Sequence, residues 1–318
     1  MVLGDCNPDV LVLGDDVTPV FGQQEKLVAS MSLVIGGSAA ITAVAAARLG
    51  LRVALVAAVG ADPAGRFMLD QLASEGVDTG AVAVRADAPT GMTVALSRGG
   101  DRAILTALGA VASLTAADVP AGLLEQARHV HVSSYFLLAS SLGPGLPGLL
   151  AAARAGGART SLDTNWDPSG RWLDERLSAV LGQADLLLPN EAEAVRLGGA
   201  PDLAGAVRAL AAAGLGLVVK RGAQGVLCVA GGKQWQVSVP PVDPVDSTGA
   251  GDCCNAGLIA GLLDGLALPD AAALGCAAGA LSTQAAGGTA GCPDRAAAAV
   301  CAQRASVSPV PGTFATGL

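Results

Sequence analysis

Two carboxylates bracket a glycine turn in Asp246-Ser-Thr-Gly-Ala-Gly-Asp252, and an apolar helical pattern begins at once with Cys253, Cys254 and Ala256. A turn of this composition aims several backbone N–H groups one way. The helix that follows adds the positive end of its dipole, so Gly249, Ala250 and Gly251 suit an anion. A carboxylate beside an anion site makes chemical sense if it removes a proton. Asp252 can deprotonate a hydroxyl as that hydroxyl attacks phosphorus, while the turn's donors hold the charge on the transferred phosphoryl group. The chemistry expected here is phosphoryl transfer to a small alcohol. A bare Gly-x-Gly before a helix is usually a packing device, but the complete seven-residue string is far more specific.

Other polar groups fall where such a reaction needs them. Gly36-Gly37-Ser38 opens an apolar stretch that closes at Gly50, and paired glycines let a backbone approach a ligand closely. Asp9 is expected at the carboxyl end of a parallel strand, where open α/β sheets bind ligands and where a carboxylate can accept two hydroxyl groups of a polyol. Asp163-Thr-Asn165 follows the strand-like run 159–162 and places further polar groups at a strand end. Asn190 and Glu193 stand three apart at a helix start and share a face. They are hard oxygen donors suited to Mg²⁺ through its waters, although on their own they read as helix-capping residues. Lys220 offers a point charge for a phosphate.

Taken in chain order, these segments resemble the ribokinase-like (PfkB) family of carbohydrate and nucleoside kinases. The string 246–252 matches the family's C-terminal signature and the Gly36-Gly37 segment its N-terminal one. Gly4-Asp-Cys-Asn-Pro-Asp9 looks like the first strand and sugar-binding loop, which brings in Asn7 and Asp9. Asn190-Glu-Ala-Glu193 looks like the Asn-x-x-Glu motif that organises Mg²⁺ and phosphates, and Lys220-Arg-Gly-Ala-Gln-Gly225 like the nucleotide loop, which brings in Gly222 and Gly225. The resemblance covers about Val2 to Ala305. It implies ATP and Mg²⁺ as cofactors, a sugar or polyol as acceptor, and K⁺ beside the turn through carbonyls near Asp246 and Thr248. Three positions depart from the family pattern: Ile41 replaces an Asn, Asp167 an Arg, and Cys254 an aromatic residue. The departures bear on substrate choice: Ile41 stands where the family pattern places an acceptor contact, so it implies either a lost sugar-hydroxyl contact or an apolar substrate edge read there. A nucleoside kinase would use the same machinery but needs a base-stacking ring, for which Phe21, Phe136 and Trp166 are the candidates. A third reading, a non-catalytic sugar-binding regulator on the same fold, has Ile41 and Asp167 as its support.

The rest of the chain sets limits. Its 318 residues are ample for a full core, and 52% apolar against 14% charged residues argues against disorder. A net charge of −8 with no Lys/Arg run beyond two residues disfavours nucleic acid as a partner. The N-terminus lacks a basic leader and no apolar run reaches spanning length, so no signal peptide and no membrane partner are expected, and a cytoplasmic location is the default. Seven cysteines without a Cys-x-x-Cys, and two histidines, indicate neither a disulfide framework nor a zinc site.

Short apolar runs near 52–59, 129–133, 159–163, 185–188 and 217–220 alternate with helical patterns over 39–49, 63–75, 145–155, 171–182, 191–197 and 202–213. That alternation predicts an α/β class fold, a three-layer α/β/α sandwich on a mainly parallel sheet. Segments 10–34 and 82–108 break the rhythm, and Gly99-Gly100 between β-prone runs signals a hairpin. A small β-sheet lid protruding from the kinase domain 1–305 is expected there. Its apolar rows, Val10-x-Val12 and Met92-x-Val94, suit pairing in a homodimer. Residues 306–318, rich in Pro, Gly, Ser and Thr, read as a flexible tail.

Overall fold

The computed structural model describes residues 1–98 and 101–311. Short, mostly apolar strands, several of them followed by a helix, build a ten-stranded sheet. Its strands are β1 (Val2–Leu3), β4 (Leu55–Gly60), β5 (Val82–Arg85), β8 (His129–Val132), β9 (Arg159–Leu162), β10 (Leu186–Leu187), β11 (Gly216–Lys220), β12 (Val226–Ala230), β13 (Lys233–Val237) and β14 (Val307–Pro309). The spatial order is β14-β13-β12-β11-β10-β9-β8-β1-β4-β5. All pairs from β11 through β10, β9, β8, β1 and β4 to β5 are parallel, and the β11–β14 end is antiparallel. Helices cover both faces. On one side β1 and β4 pack with helices 38–48, 63–74 and 250–263, and on the other Val130, Val132, Leu162 and Leu187 meet helices 146–155 and 175–181. Parallel strands buried on both faces need no polar side, which is why they read as unbroken apolar runs.

A second sheet of four strands stands apart, in the order β3-β2-β6-β7, with β2 at Asn7–Leu13, β3 at Ser30–Gly36, β6 at Met92–Arg98 and β7 at Asp101–Ala107. Its β2–β3 and β6–β7 pairs are antiparallel hairpins and β2–β6 is parallel. This is the small sheet expected from the broken rhythm, with shifted bounds. It takes in Asn7 and Gly36 at one end, whereas Val82–Arg85 belongs to the edge of the main sheet, beside β4. Gly99-Gly100, the hairpin signal, lies outside the described residues. Val307–Pro309, in the stretch expected to be a tail, pairs with β13, and residues 312–318 again lie outside the described residues.

The parallel topology decides where chemistry can sit. β1, β8, β9, β10 and β11 all point the same way, so Asp5, Ser133, Asp163, Asn190 and Lys220 collect along one edge of the sheet. Asp9, expected at the end of a parallel strand, lies instead inside β2 of the small sheet; the residue that follows the end of β1 is Asp5. Among the described residues no helix is long and apolar enough to cross a membrane.

Candidate active site

The turn before helix 250–263 is built as its composition suggests. Gly249 is the N-cap with φ of 73°, a left-handed conformation open to glycine at little strain. A Cβ there would also come within 2.6 Å of the Gly288 carbonyl. The Asp246 carboxylate fastens the turn from below: it accepts from Thr248 N (2.9 Å), Thr248 Oγ1 (2.7 Å) and Gly287 N (2.8 Å). Ala250 donates its N–H to the Ser247 carbonyl at 3.2 Å, so one of the three expected anion donors is engaged within the turn itself.

Asp252 lies in the first helical turn and is 8% exposed. Burial holds its carboxyl well above the usual carboxylate range, and the negative charge of Asp163 pushes in the same direction. Lys220 and the Ser38 hydroxyl oppose the shift. A raised carboxyl at the start of a buried helix is suited to accept a proton.

Behind the turn sits a largely buried cation. Lys220 Nζ is ion-paired with Asp163 Oδ2 and lies 3.3 Å from Asn255 Oδ1, and Asn255 Nδ2 donates to the same Asp163 oxygen at 2.6 Å. A Cβ on Gly251 would stand 3.5 Å from Nζ, which places the ammonium against the turn. Burial alone would raise the Asp163 carboxyl, but the Lys220 charge outweighs it and holds the group below its ordinary value; Lys220 is held up in return. Asn255 is a member of this cluster that sequence reasoning passed over. Its signal was spacing: three residues past Asp252 on a helix, it shares that residue's face.

Glu193 and Asn190 form a reciprocal capping box, with Glu193 N donating to Asn190 Oδ1 and Asn190 N to Glu193 Oε2, both at 2.9 Å. Burial, reinforced by Asp163, raises the Glu193 carboxyl to about 7. A dication brought near would favour its ionised form. Gly222 and Gly225 frame the loop after β11. Gly225 is there for the backbone, since a Cβ would overlap the Val237 carbonyl.

The Gly36-Gly37-Ser38 start lies beside Asp252, close enough for the Ser38 hydroxyl to hydrogen-bond its carboxyl group. A Cβ on Gly36 would collide with the Asp9 carboxylate at 1.9 Å, so glycine is what lets Asp9 sit there. Asn7 Nδ2 donates to Asp9 Oδ1 (3.2 Å) and to Thr93 Oγ1 (3.1 Å), and Thr93 meets Thr106 at 3.1 Å, so a polar row runs from the floor onto the small sheet. Asn165, with φ of 55°, donates Nδ2 to Ser38 Oγ at 2.7 Å while its buried Oδ1 has no partner among the described residues. A strained backbone holding an unpaired acceptor is the kind of feature a ligand hydroxyl explains.

Two expected departures resolve differently. Ile41, expected to face the acceptor, is 3% exposed and packs its γ and δ carbons against Gly249 and Gly288 as part of the core. It wedges the turn from beneath. Asp167 accepts from Ser169 N (2.8 Å), Ser169 Oγ (2.7 Å) and Trp172 N (2.6 Å), so it fixes a local turn. Of the aromatic candidates, Phe136 packs edge-on against Trp172 and Tyr135, Phe21 is fully exposed, and Trp166 rests against Trp172 with 54% of its surface open beside Asn165. His129 and His131 are both buried and share the Ser161 hydroxyl at 2.8 Å.

Comparison with known proteins gives this arrangement a family. Residues 1–295 match the model described as "pfkB family carbohydrate kinase". The chain is 30% identical over 307 residues to ribokinase of Haemophilus influenzae, covering 92% of this chain and 95% of that one. It is 32% identical over 291 residues to 2-dehydro-3-deoxygluconokinase of Bacillus subtilis, covering 84% and 86%. Among solved structures, a candidate ribokinase II of E. coli in complex with ATP and Mg²⁺ superposes with a TM-score of 0.82 at 26% identity, over 95% of this chain and 98% of that one. The chain therefore belongs to the pfkB family of carbohydrate kinases, phosphotransferases with a hydroxyl acceptor.

Proposed function

We propose that this chain transfers the γ-phosphoryl group of MgATP to a hydroxyl of a sugar or sugar-like polyol, with Asp252 as general base. The observation that carries the reading is the buried, proton-seeking Asp252 carboxyl in the first turn of a helix that opens on Gly249-Ala250-Gly251. MgATP, when bound, supplies the electrophilic phosphorus. Asp252 takes the proton of the attacking hydroxyl. The helix start and the Lys220 ammonium behind it stabilise negative charge that grows on the phosphoryl oxygens. Asp9, Asn7 and the unpaired Asn165 Oδ1 orient the acceptor by accepting or donating hydrogen bonds to its hydroxyls. Glu193 and Asn190 fit Mg²⁺ through its waters. K⁺ would be held by backbone carbonyls near Asp246 and Thr248, because the Asp246 carboxylate is already engaged by the turn.

The small sheet closes over the acceptor in this reading and excludes water. Its outer row, with Met31 and Leu105 each 64% exposed, is the surface through which we propose a homodimer; sedimentation as a monomer at micromolar concentration removes that part. A nucleoside acceptor is the second reading, favoured by the open Trp166 ring next to Asn165. ADP release measured with D-ribose, D-fructose, 2-dehydro-3-deoxygluconate and adenosine separates the two. No ADP release with any alcohol, in the presence of Mg²⁺ and K⁺, would sink the kinase reading.

A further inference from the structure

Cys253 directly follows the proposed base, and its Sγ lies 3.0 Å from Cys292 Sγ, both thiols being buried. Two sulfurs at this separation are inside ordinary non-bonded contact, and no part of the phosphoryl-transfer machinery needs them. Their place is specific. Cys253 N donates to the Gly249 carbonyl at 2.8 Å, and Gly288, whose carbonyl lies 3.6 Å from Cys292 Sγ, is the residue that abuts Gly249. The thiol pair therefore clips the helix start to the loop that braces it. The loop is held from the far side by Arg48, whose Nη1 donates to the carbonyls of Thr289 (2.6 Å) and Cys292 (3.2 Å).

We propose that Cys253 and Cys292 form a reversible intramolecular disulfide under hydroperoxide, and that this bond switches the site off by displacing the turn that carries Asp252. Cys292 is 7% exposed against 0% for Cys253, so Cys292 is the thiol that meets the oxidant. Either sulfur can donate in the contact between them; with Cys253 donating, the thiolate on Cys292 is favoured, burial opposes this and the nearby Arg48 charge supports it. The same hydrogen bond and burial hold the Cys253 proton in place. Cys292 thiolate attacks one oxygen of hydrogen peroxide and becomes a sulfenic acid as hydroxide leaves. Hydroxide takes the Cys253 proton. The Cys253 sulfur then attacks the Cys292 sulfur and expels the second hydroxide, which is protonated to water. In sum two thiols and one peroxide give one disulfide and two waters. The sulfurs must close from 3.0 Å to about 2.05 Å. A shift of ~1 Å transmitted to a reacting group can lower turnover by about 10²-fold.

The cross-link does not depend on what the chain phosphorylates, whereas its effect on turnover rests on the kinase reading. The experiment treats the purified full chain with hydrogen peroxide, maps disulfide-linked peptides by mass spectrometry, and follows ADP release with MgATP and the sugar that supports turnover. The expected result is a Cys253–Cys292 peptide pair with loss of two hydrogens, a fall in turnover of at least tenfold, and recovery on adding dithiothreitol. Cys292→Ser and Cys292→Ala should both keep their turnover under peroxide. Absence of the 253–292 linkage in the wild-type map overturns the proposal without any variant, as does linkage of Cys254 to Cys276 in its place. Equal peroxide sensitivity in the Cys292 variants overturns the switch. If no sugar is turned over but the linkage forms, the kinase reading fails while the thiol pair stands, and amide hydrogen exchange over 246–253 before and after oxidation then decides whether the bond moves the turn, unchanged protection there overturning the displacement.

Discussion

Helices 38–48 and 250–263 begin alike. Each follows a glycine with positive φ, each carries small residues in its first turn, and neither has a capping side chain at its own N-cap. They differ in what meets their free N–H groups. Asp5 reaches from the end of β1 and accepts from Ser38 N and Ala39 N, both at 3.0 Å, so the first helix is closed by the protein itself. Nothing comparable caps the second among the described residues. Two similar glycine turns thus have different work. The first presents side chains, Ser38 and the Asp9 that Gly36 admits, and the second presents backbone donors and a base. A helix start that the protein has already satisfied is architecture; one left open is where an anion is expected.

The strongest way to break this contrast is Asp252→Asn. The amide keeps the shape and cannot take a proton, so kcat should fall by about 10²–10⁴, the usual worth of a positioned base, with KM for ATP little changed. Turnover within about tenfold of wild type would mean that the open helix start carries no base. At the other helix start, Asp9→Ala should act on the acceptor. Removing a charged hydrogen-bond partner lowers binding by roughly 1.5–3 kcal/mol, or about 10- to 100-fold in KM for the sugar, and leaves KM for ATP near wild type. A rise in KM for ATP alone would take Asp9 out of the acceptor site.

The closed start should respond in stability instead. Asp5→Ala strands two N–H groups at the buried end of helix 38–48, and each lost partner is worth about 1–3 kcal/mol. Thermal unfolding should drop by several degrees. An unchanged midpoint would show that the helix start is not held by Asp5, and the contrast between the two turns would collapse.

Most of the main sheet was legible because buried parallel strands are short apolar runs punctuated by helix caps, and helix 191–197 falls where its pattern predicts. The 246–252 string was legible because one local segment holds the glycine geometry, the helix start and the base together. What escaped depends on contacts between distant segments. Asp5 and Asp9 are four apart in sequence, and which of them ends a parallel strand depends on where the chain leaves β1 for the small sheet. The Asp163–Lys220–Asn255 cluster joins β9, β11 and helix 250–263, so no local pattern contains it. Ile41 sets local packing against a family position. A family position suggested an acceptor contact, but an apolar side chain one turn into a buried helix goes to the core, here under Gly249. Val82–Arg85 is only partly buried, as suits an edge strand, and only its pairing with β4 assigns it to the main sheet.

The smallest expected effect is the one that distinguishes the two helix starts most cleanly. Burial and Asp163 hold the Asp252 carboxyl well above its ordinary value, so its ionised form is disfavoured in the folded chain. A group with a raised folded pKa favours the fold fully at pH below its unfolded value. That contribution fades as pH rises through the folded pKa. Asp252→Asn removes the titration. The variant should therefore unfold at a temperature equal to or above that of wild type, and the gap should widen as pH rises above the ordinary carboxylate range. With about 2 °C per kcal/mol expected for a chain of this size, the difference is a few degrees at most. Differential scanning at several pH values, on wild type and Asp252→Asn side by side, reads it directly. A variant less stable than wild type at every pH would make Asp252 a structural cap like Asp5. The open turn would then be held for the fold and not for the chemistry.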